Sequence, residues 1–202
     1  MKYSRPKEIQ MAILRTKSRV SDFHMPENML SVCDWTFMPL QKNTQGLKFS
    51  QISNDRDSIY HSFEASSYFD ASYGPDGNHT PSLQLTLQPK TESEFDCMIS
   101  CIRHHVEDKC EEFGMTLQQA IDRFKSPFVK NGMYPANLRV KLAGTRYWSA
   151  DENNVSAPAT YATREWKVRV HFKSIWVSSD AWGLSCQACD LQEITSKAKF
   201  PF

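Results

Sequence analysis

No stretch of about eighteen apolar residues occurs in the 202-residue chain, so the sequence predicts no membrane-spanning helix. The first twenty residues carry Lys2, Arg5, Lys7, Arg15, Lys17 and Arg19 around one short apolar patch, Met11 to Leu14, which is too little for a secretion signal. A glycine-rich phosphate loop, a dinucleotide fingerprint and a nucleophile elbow are all missing, which removes the commonest enzyme signatures. A surplus of one charge sign is missing too. The 24 Lys and Arg stand against 23 Asp and Glu, and a formal net charge of +1 excludes a protein that holds polyanions through total charge alone. A local patch can still govern contact while the total governs solubility. Cys33, Cys97, Cys101, Cys110, Cys186 and Cys189, in a chain with no predicted export signal, are expected to be reduced thiols in an intracellular compartment.

What is present is a switch of hydrophobic period. Residues 1–27 are polar, basic and weakly periodic, and are expected to form a flexible arm. Asn28 to Leu40 is strand-like, Asn43-Thr44-Gln45-Gly46 is a turn, and Leu47 to Ile52 alternates again, which predicts a hairpin. Ser58–Tyr68 and Ser82–Gln88 add two more strands around a loop rich in Gly, Pro and Asp. Between about 91 and 126 the period changes. Phe95, Met98, Ile99, Ile102, Val106, Cys110 and Phe113 recur at spacings of three and four, which predicts a helix near 92–113. Thr91 with Glu94 and Thr116 with Gln119 read as capping boxes, the second opening a helix near 117–125. Strands return at 138–142, 165–177 and 182–194. Helices that do not alternate with strands argue against a doubly wound sheet. The expected fold is mainly β: a five-stranded, partly open antiparallel barrel over 28–196 with two helices as an insertion, followed by a tail at 197–202.

The segment Arg164–Ile194 carries the functional expectation. Trp166, Val168, Val170, Phe172 and Trp176 share one parity and are assigned to the core, while Lys167, Arg169, His171 and Lys173 share the other. Strand side chains alternate faces, so an apolar face is backed by a row of cations. Arg139, Lys141, Arg146 and Arg164 lie on or beside neighbouring predicted strands, and Tyr147, Trp148 and Tyr161 fall in or next to their connections. Cations that follow phosphates and rings that stack on unpaired bases suit a single-stranded nucleic acid, DNA or RNA. The competing reading is an outer face that is merely solvated, on a structural or protein-interaction module such as a virion or scaffold component.

Two other constellations bear on chemistry. Cys97, Cys101, His104 and His105 crowd one predicted helix, and Cys186-x-x-Cys189 has the spacing of half a zinc site, but two cysteines three apart in a strand point to opposite faces. Zinc therefore stays open, and no cofactor is assigned. His61 with Glu64 and Asp70, or Asp55 with Asp57, are the only acid–base groupings in view. They are too ordinary to forecast an enzyme.

Leu138–Leu142 together with Phe172-Lys173-Ser174-Ile175-Trp176 and Trp182-Gly183-Leu184-Ser185 resembles the C-terminal half of the single-stranded DNA-binding proteins of large DNA viruses and related mobile elements. The likeness covers the last 65 residues or so. It implies an OB-type barrel with inserted helices that coats single strands during replication or recombination, in a host nucleus or viral replication site, with the Lys167–Lys173 row on the binding face. The terminal Phe200-Pro201-Phe202 also resembles the Pro-Phe ending of bacterial single-stranded DNA-binding proteins, which docks replication partners, although Lys197 and Lys199 stand where acidic residues would be. Self-association through Phe200 and Phe202 is the other expectation for this end.

Overall fold

The computed structural model describes residues 35–44, 46–54, 57–73, 80–130 and 132–194. The expected basic arm at 1–27, the start of the strand from Asn28, and the tail at 197–202 with Phe200 and Phe202 lie outside the described residues. The strands are β1 (Trp35–Phe37), β2 (Gln41–Lys42), β3 (Lys48–Asn54), β4 (Ile59–Ser67) and β5 (Ser82–Leu87), then β6 (Phe124–Lys125), β7 (Phe128–Val129), β8 (Asn137–Lys141), β9 (Arg146–Trp148), β10 (Asn154–Val155), β11 (Arg164–Val177) and β12 (Trp182–Glu193). Two helices, α1 (Pro89–Asp108) and α2 (Leu117–Asp122), stand between β5 and β6.

Five strands form a partly closed barrel. β4 pairs with β11 along its whole length, from Ser67↔Arg164 to Ile59↔Phe172, and β11 pairs with β12 from Trp166↔Glu193 to Val177↔Trp182. β5 joins β8 from Ser82↔Lys141 to Thr86↔Asn137. The two remaining junctions are narrow. β4 meets β5 at Ala65↔Leu87 and Ser66↔Thr86, and β8 meets β12 in parallel at Lys141↔Gln187. The expected barrel is therefore present, antiparallel except where β12 runs beside its neighbours β6, β8 and β9.

The alternation in β11 produces the core directly. Trp166, Val168, Val170 and Phe172 are buried, with Leu83, Leu85, Leu138, Val140, Ala188 and Leu191 from the facing strands. Trp176 departs from expectation. An irregularity between Phe172 and Ser174 shifts the register by one residue, so Ile175 and Val177 take the buried positions. Trp176 is left half-buried, its ring over Gly183. Gly183 has no room for a side chain, since a Cβ there would stand 2.4 Å from the Lys125 carbonyl oxygen.

The helices differ from the sequence expectation at their ends. α1 begins two residues before Thr91, on Pro89 with Gln88 as N-cap, so the Thr91–Glu94 box is not formed. Proline suits the first helical position because its missing N–H has no partner there anyway. The stripe Phe95, Met98, Ile99, Ile102 and Val106 is buried as the spacing predicts, with Phe95 edge-on to Phe63 and Phe172 at centroid distances of 5.1 and 5.7 Å. α1 ends at Asp108; Cys110 and Phe113 lie in the turn that Gly114 closes at φ +67°. The Thr116–Gln119 box is present, but α2 stops at Asp122 because Phe124 and Lys125 pair with Trp182 and Gly183 as β6.

His61 sits where α1 meets the barrel. Its Nε2 is 3.4 Å from Glu94 Oε2, and its ring packs on Phe63 and Phe95. Burial holds its pKa below the ordinary value, against a smaller upward pull from Glu94. A histidine neutral in the folded state takes up its proton first when unfolded, so stability is full above the unfolded value of about 6.5 and falls as pH drops through it. Thermal unfolding at pH 7.5 and 5.5 should show a lower midpoint in acid. His61→Gln should flatten part of that difference. The rest falls to His105 and His171, both lowered chiefly by burial. Equal midpoints at the two pH values would contradict this assignment.

Candidate functional site

The outward parity of the barrel brings the predicted cations together. On β11, Lys167, Arg169 and His171 are partly exposed and Lys173 is exposed; on β8, Arg139 and Lys141 are exposed. Register joins the two sets across the barrel. Ser82 on β5 pairs with Lys141, Lys141 with Gln187 on β12, Gln187 with His171, and His171 with Tyr60 on β4. These positions lie at one level, so Lys141 and the His171–Lys173 end of β11 share a belt.

Several of the cations are neutralised where they stand. Arg164 Nη1 is 2.6 Å from Glu193 Oε1, at the far end of β11 from Tyr60. Arg146 Nη2 is 2.8 Å from Asp190 Oδ1, and Arg169 Nε is 3.2 Å from Asp190 Oδ2. Lys167 is paired in register with Glu64. Arg139, Lys141 and Lys173 have no carboxylate partner among the described residues. They are the strongest carriers of unbalanced charge on this face.

The aromatic expectations need correction. Tyr161 is buried at 9% exposure, so it has no ring face to offer a ligand. Its hydroxyl is 2.7 Å from that of Tyr147, and its ring is 6.0 Å from Trp166. Burial, then the Tyr147 hydrogen bond, push its pKa up. Tyr147 lies on the inward parity of β9 and packs against the core. Tyr147 is drawn toward the core because β9 pairs with β12 as a short regular strand, whereas Tyr161 is buried from the turn that leads into β11. Trp148 has the opposite parity and remains partly exposed, its Nε1 donating to Asp190 Oδ1 at 3.0 Å.

The structure supplies rings that the sequence reading passed over. Tyr60, 43% exposed, stands on the outward parity of β4 between Arg169, whose Cζ is 4.6 Å from the ring centroid, and His171, whose ring is 5.0 Å away. The alternation that put Ile59, His61 and Phe63 inward already pointed Tyr60 outward. Tyr68, Phe69 and Tyr73, at 60, 70 and 67% exposure, project from the segment after β4. Three rings in six residues was the available signal.

That segment is built rather than loose. Asp70 Oδ1 accepts from the Thr160 hydroxyl at 2.7 Å and from the peptide nitrogens of Tyr161 and Ala162 at 2.6 and 3.3 Å. The Thr160 hydroxyl first, then the Tyr161 N–H, hold its carboxyl below the usual range. Ser72 bridges to Ser82 through both backbone bonds, and Arg139 Nε donates to Ser82 Oγ at 3.1 Å. Ser72, next to the exposed Tyr73, is thus linked through Ser82 to Arg139 on β8.

No protein-family model matches the chain, and no curated protein matches it in sequence. Among solved structures, the chain is similar to the single-stranded DNA-binding protein from bacteriophage Enc34 in complex with ssDNA. Identity is 8% and the TM-score 0.45, over 78% of this chain and 94% of that one. It is also similar to the C-terminal truncation of the bacteriophage Enc34 protein, at 9% identity and a TM-score of 0.43, over 83% and 98% of the two chains.

The other constellations do not assemble. Cys97, Cys101 and His104 face solvent on α1 while Cys186 is buried in the barrel, its thiol pushed up to about 12 by burial. Among the described residues no three His, Cys, Asp or Glu side chains are grouped to hold a metal ion. His61 faces Glu94, Glu64 pairs in register with Lys167, and Asp70 is committed to the 160–162 backbone, so the His61–Glu64–Asp70 grouping is not formed. Asp55 lies outside the described residues, which leaves its grouping with Asp57 undrawn.

Proposed function

We propose that the protein binds single-stranded DNA without reading its sequence, coating single strands during viral or mobile-element DNA replication or recombination. One observation carries this reading: an exposed tyrosine packs against a guanidinium and an imidazole, on the same belt as two cations that lack carboxylate partners among the described residues. A ring face can stack only on a base whose own face is open, which a duplex hides and a single strand offers. Cations flanking the ring hold the phosphates on either side without reading sequence. The exposed Tyr73, next to Ser72 and so tied through Ser82 to Arg139, extends the same surface toward a further base.

The test is a titration of fluorescent single-stranded DNA, duplex DNA and single-stranded RNA of one length at two salt concentrations. Single-stranded DNA is expected to bind at least tenfold tighter than duplex, with affinity falling as salt rises. Equal affinity for single strand and duplex would remove the stacking part of the reading. Tighter binding to RNA would change the ligand. Binding to none of the three would leave the protein-interaction module.

A further inference from the structure

Asp190 is 4% exposed, on the outer side of a barrel face that otherwise collects cations. An irregularity between Arg169 and Val170 leaves Cys189 without a cross-strand partner and sets Asp190 opposite Arg169. The parallel pairing of β12 with β9 sets Arg146 beside the same carboxylate. Three donors then converge on it. Arg146 Nη2 lies 2.8 Å from Oδ1 and 3.0 Å from Oδ2, Trp148 Nε1 donates to Oδ1 at 3.0 Å, and Arg169 Nε approaches Oδ2 at 3.2 Å. The Arg169 approach is a charge contact without hydrogen-bond alignment, since that N–H has no aligned acceptor. Each guanidinium also rests on a ring: Arg169 on Tyr60 at 4.6 Å, and Arg146 on Trp148 at 5.6 Å.

The order through space is ring, guanidinium, carboxylate, guanidinium, ring. A buried carboxylate that only neutralised the face would weaken an anion site. One that fixes two planar forks against two rings prepares it, because each fork keeps N–H groups that the carboxylate does not use. We propose that Asp190 is a positioning residue for a seat holding one phosphodiester between Arg146 and Arg169, with the flanking bases on Tyr60 and Trp148. This rests on the reading of the face as a single-strand site. It adds to that reading that a negative charge in the middle of the site strengthens binding by ordering it.

The experiment compares two substitutions that change net charge equally. Asp190→Asn and Glu64→Gln each remove one negative charge from the outer face, and Glu64 is exposed. If charge alone matters, both tighten binding to a thymidine 20-mer. With Asp190 as the positioning residue, Glu64→Gln binds as tightly as wild type or up to a few-fold tighter, while Asp190→Asn binds at least fivefold weaker at the same salt. Binding by Asp190→Asn as tight as by Glu64→Gln overturns the proposal. Should Asp190→Asn fail to fold, Arg146→Lys and Arg169→Lys decide, because they keep every charge but lose the fork. Each is expected to weaken binding at least threefold, and unchanged affinity in both overturns the proposal. Lys141→Ala with Lys173→Ala separates the two levels. If that pair weakens binding while Asp190→Asn does not, only the positioning role fails; if wild-type protein does not bind the oligonucleotide, the reading of the face fails with it.

Discussion

Trp182→Ala is expected to lower stability by about 3–5 kcal/mol, the range for truncating a large buried aromatic. Trp182 is fully buried, at the first residue of β12, where the barrel meets the helical insertion. Its Nε1 donates to the Ala120 carbonyl at 2.7 Å, its backbone N–H to the Arg123 carbonyl at 2.9 Å, and its ring packs 4.6 Å from Phe124. Truncation opens a cavity and also leaves the Ala120 carbonyl without its indole donor, and an unsatisfied buried group costs about 1–3 kcal/mol by itself. At roughly 2–4 °C per kcal/mol for a chain of this size, the thermal midpoint should fall by about 6–20 °C. Trp148→Ala, on the rim of the outer face, serves as the contrast and should move the midpoint far less. A Trp182→Ala midpoint within a degree or two of wild type would mean that the insertion is not locked to the barrel through this residue.

Trp182 also shows what the sequence could carry. It opens a strand that the sequence places correctly, yet its partners Ala120 and Arg123 are some sixty residues earlier, beyond the reach of any period. Alternation in β11 was legible because its two faces differ sharply in polarity, and the α1 stripe because five buried residues recur at helical spacing. The β11 signal breaks at two irregularities in its pairing with β12. The register shift after Phe172 exchanges Trp176 for Ile175 and Val177, and the one after Arg169 brings Asp190 onto the cationic face. One inserted residue reverses every later parity, and nothing local in composition announces it.

The candidate site was legible to the same extent. Lys141, Arg169 and Lys173 stand on the outer face because their strands alternate, while the level that joins Lys141 to the His171–Lys173 end of β11 exists only through the pairing of Gln187 with both Lys141 and His171. Tyr147 and Tyr161 stand in or next to the connections as their neighbours suggest, but local sequence does not show that the Tyr161 ring turns inward. Here the two hydroxyls satisfy one another under the edge of the barrel. Tyr60 was legible by parity. Tyr68, Phe69 and Tyr73 were legible only by their density, since the Asp70 contacts that fix their segment reach more than ninety residues along the chain.

Tyr60→Ala is expected to weaken binding of single-stranded DNA about 5- to 150-fold, the equivalent of the roughly 1–3 kcal/mol measured per stacked base. Its dependence on salt should be unchanged, because the phenol contributes no charge. Tyr60→Phe keeps the ring and should bind nearly as wild type. The charged half of the site gives the opposite signature. Lys141 and Lys173 are exposed and belong to no described ion pair, so each is expected to contribute one released counterion. Removing both should lower the slope of log affinity against log salt by about 1.4, at about 0.7 per single-strand contact. Between 50 and 200 mM salt the double variant should then lose about sevenfold less affinity than wild type, whatever the sequence of the strand. Arg164, held by Glu193 at the other end of β11, should change the slope little when replaced. Ring and charge therefore separate in one set of titrations: the Tyr60 variant shifts the line at constant slope, and the lysine pair changes the slope. If both variants fold as wild type and both lines stay where they were, the strand lies on another face of the barrel.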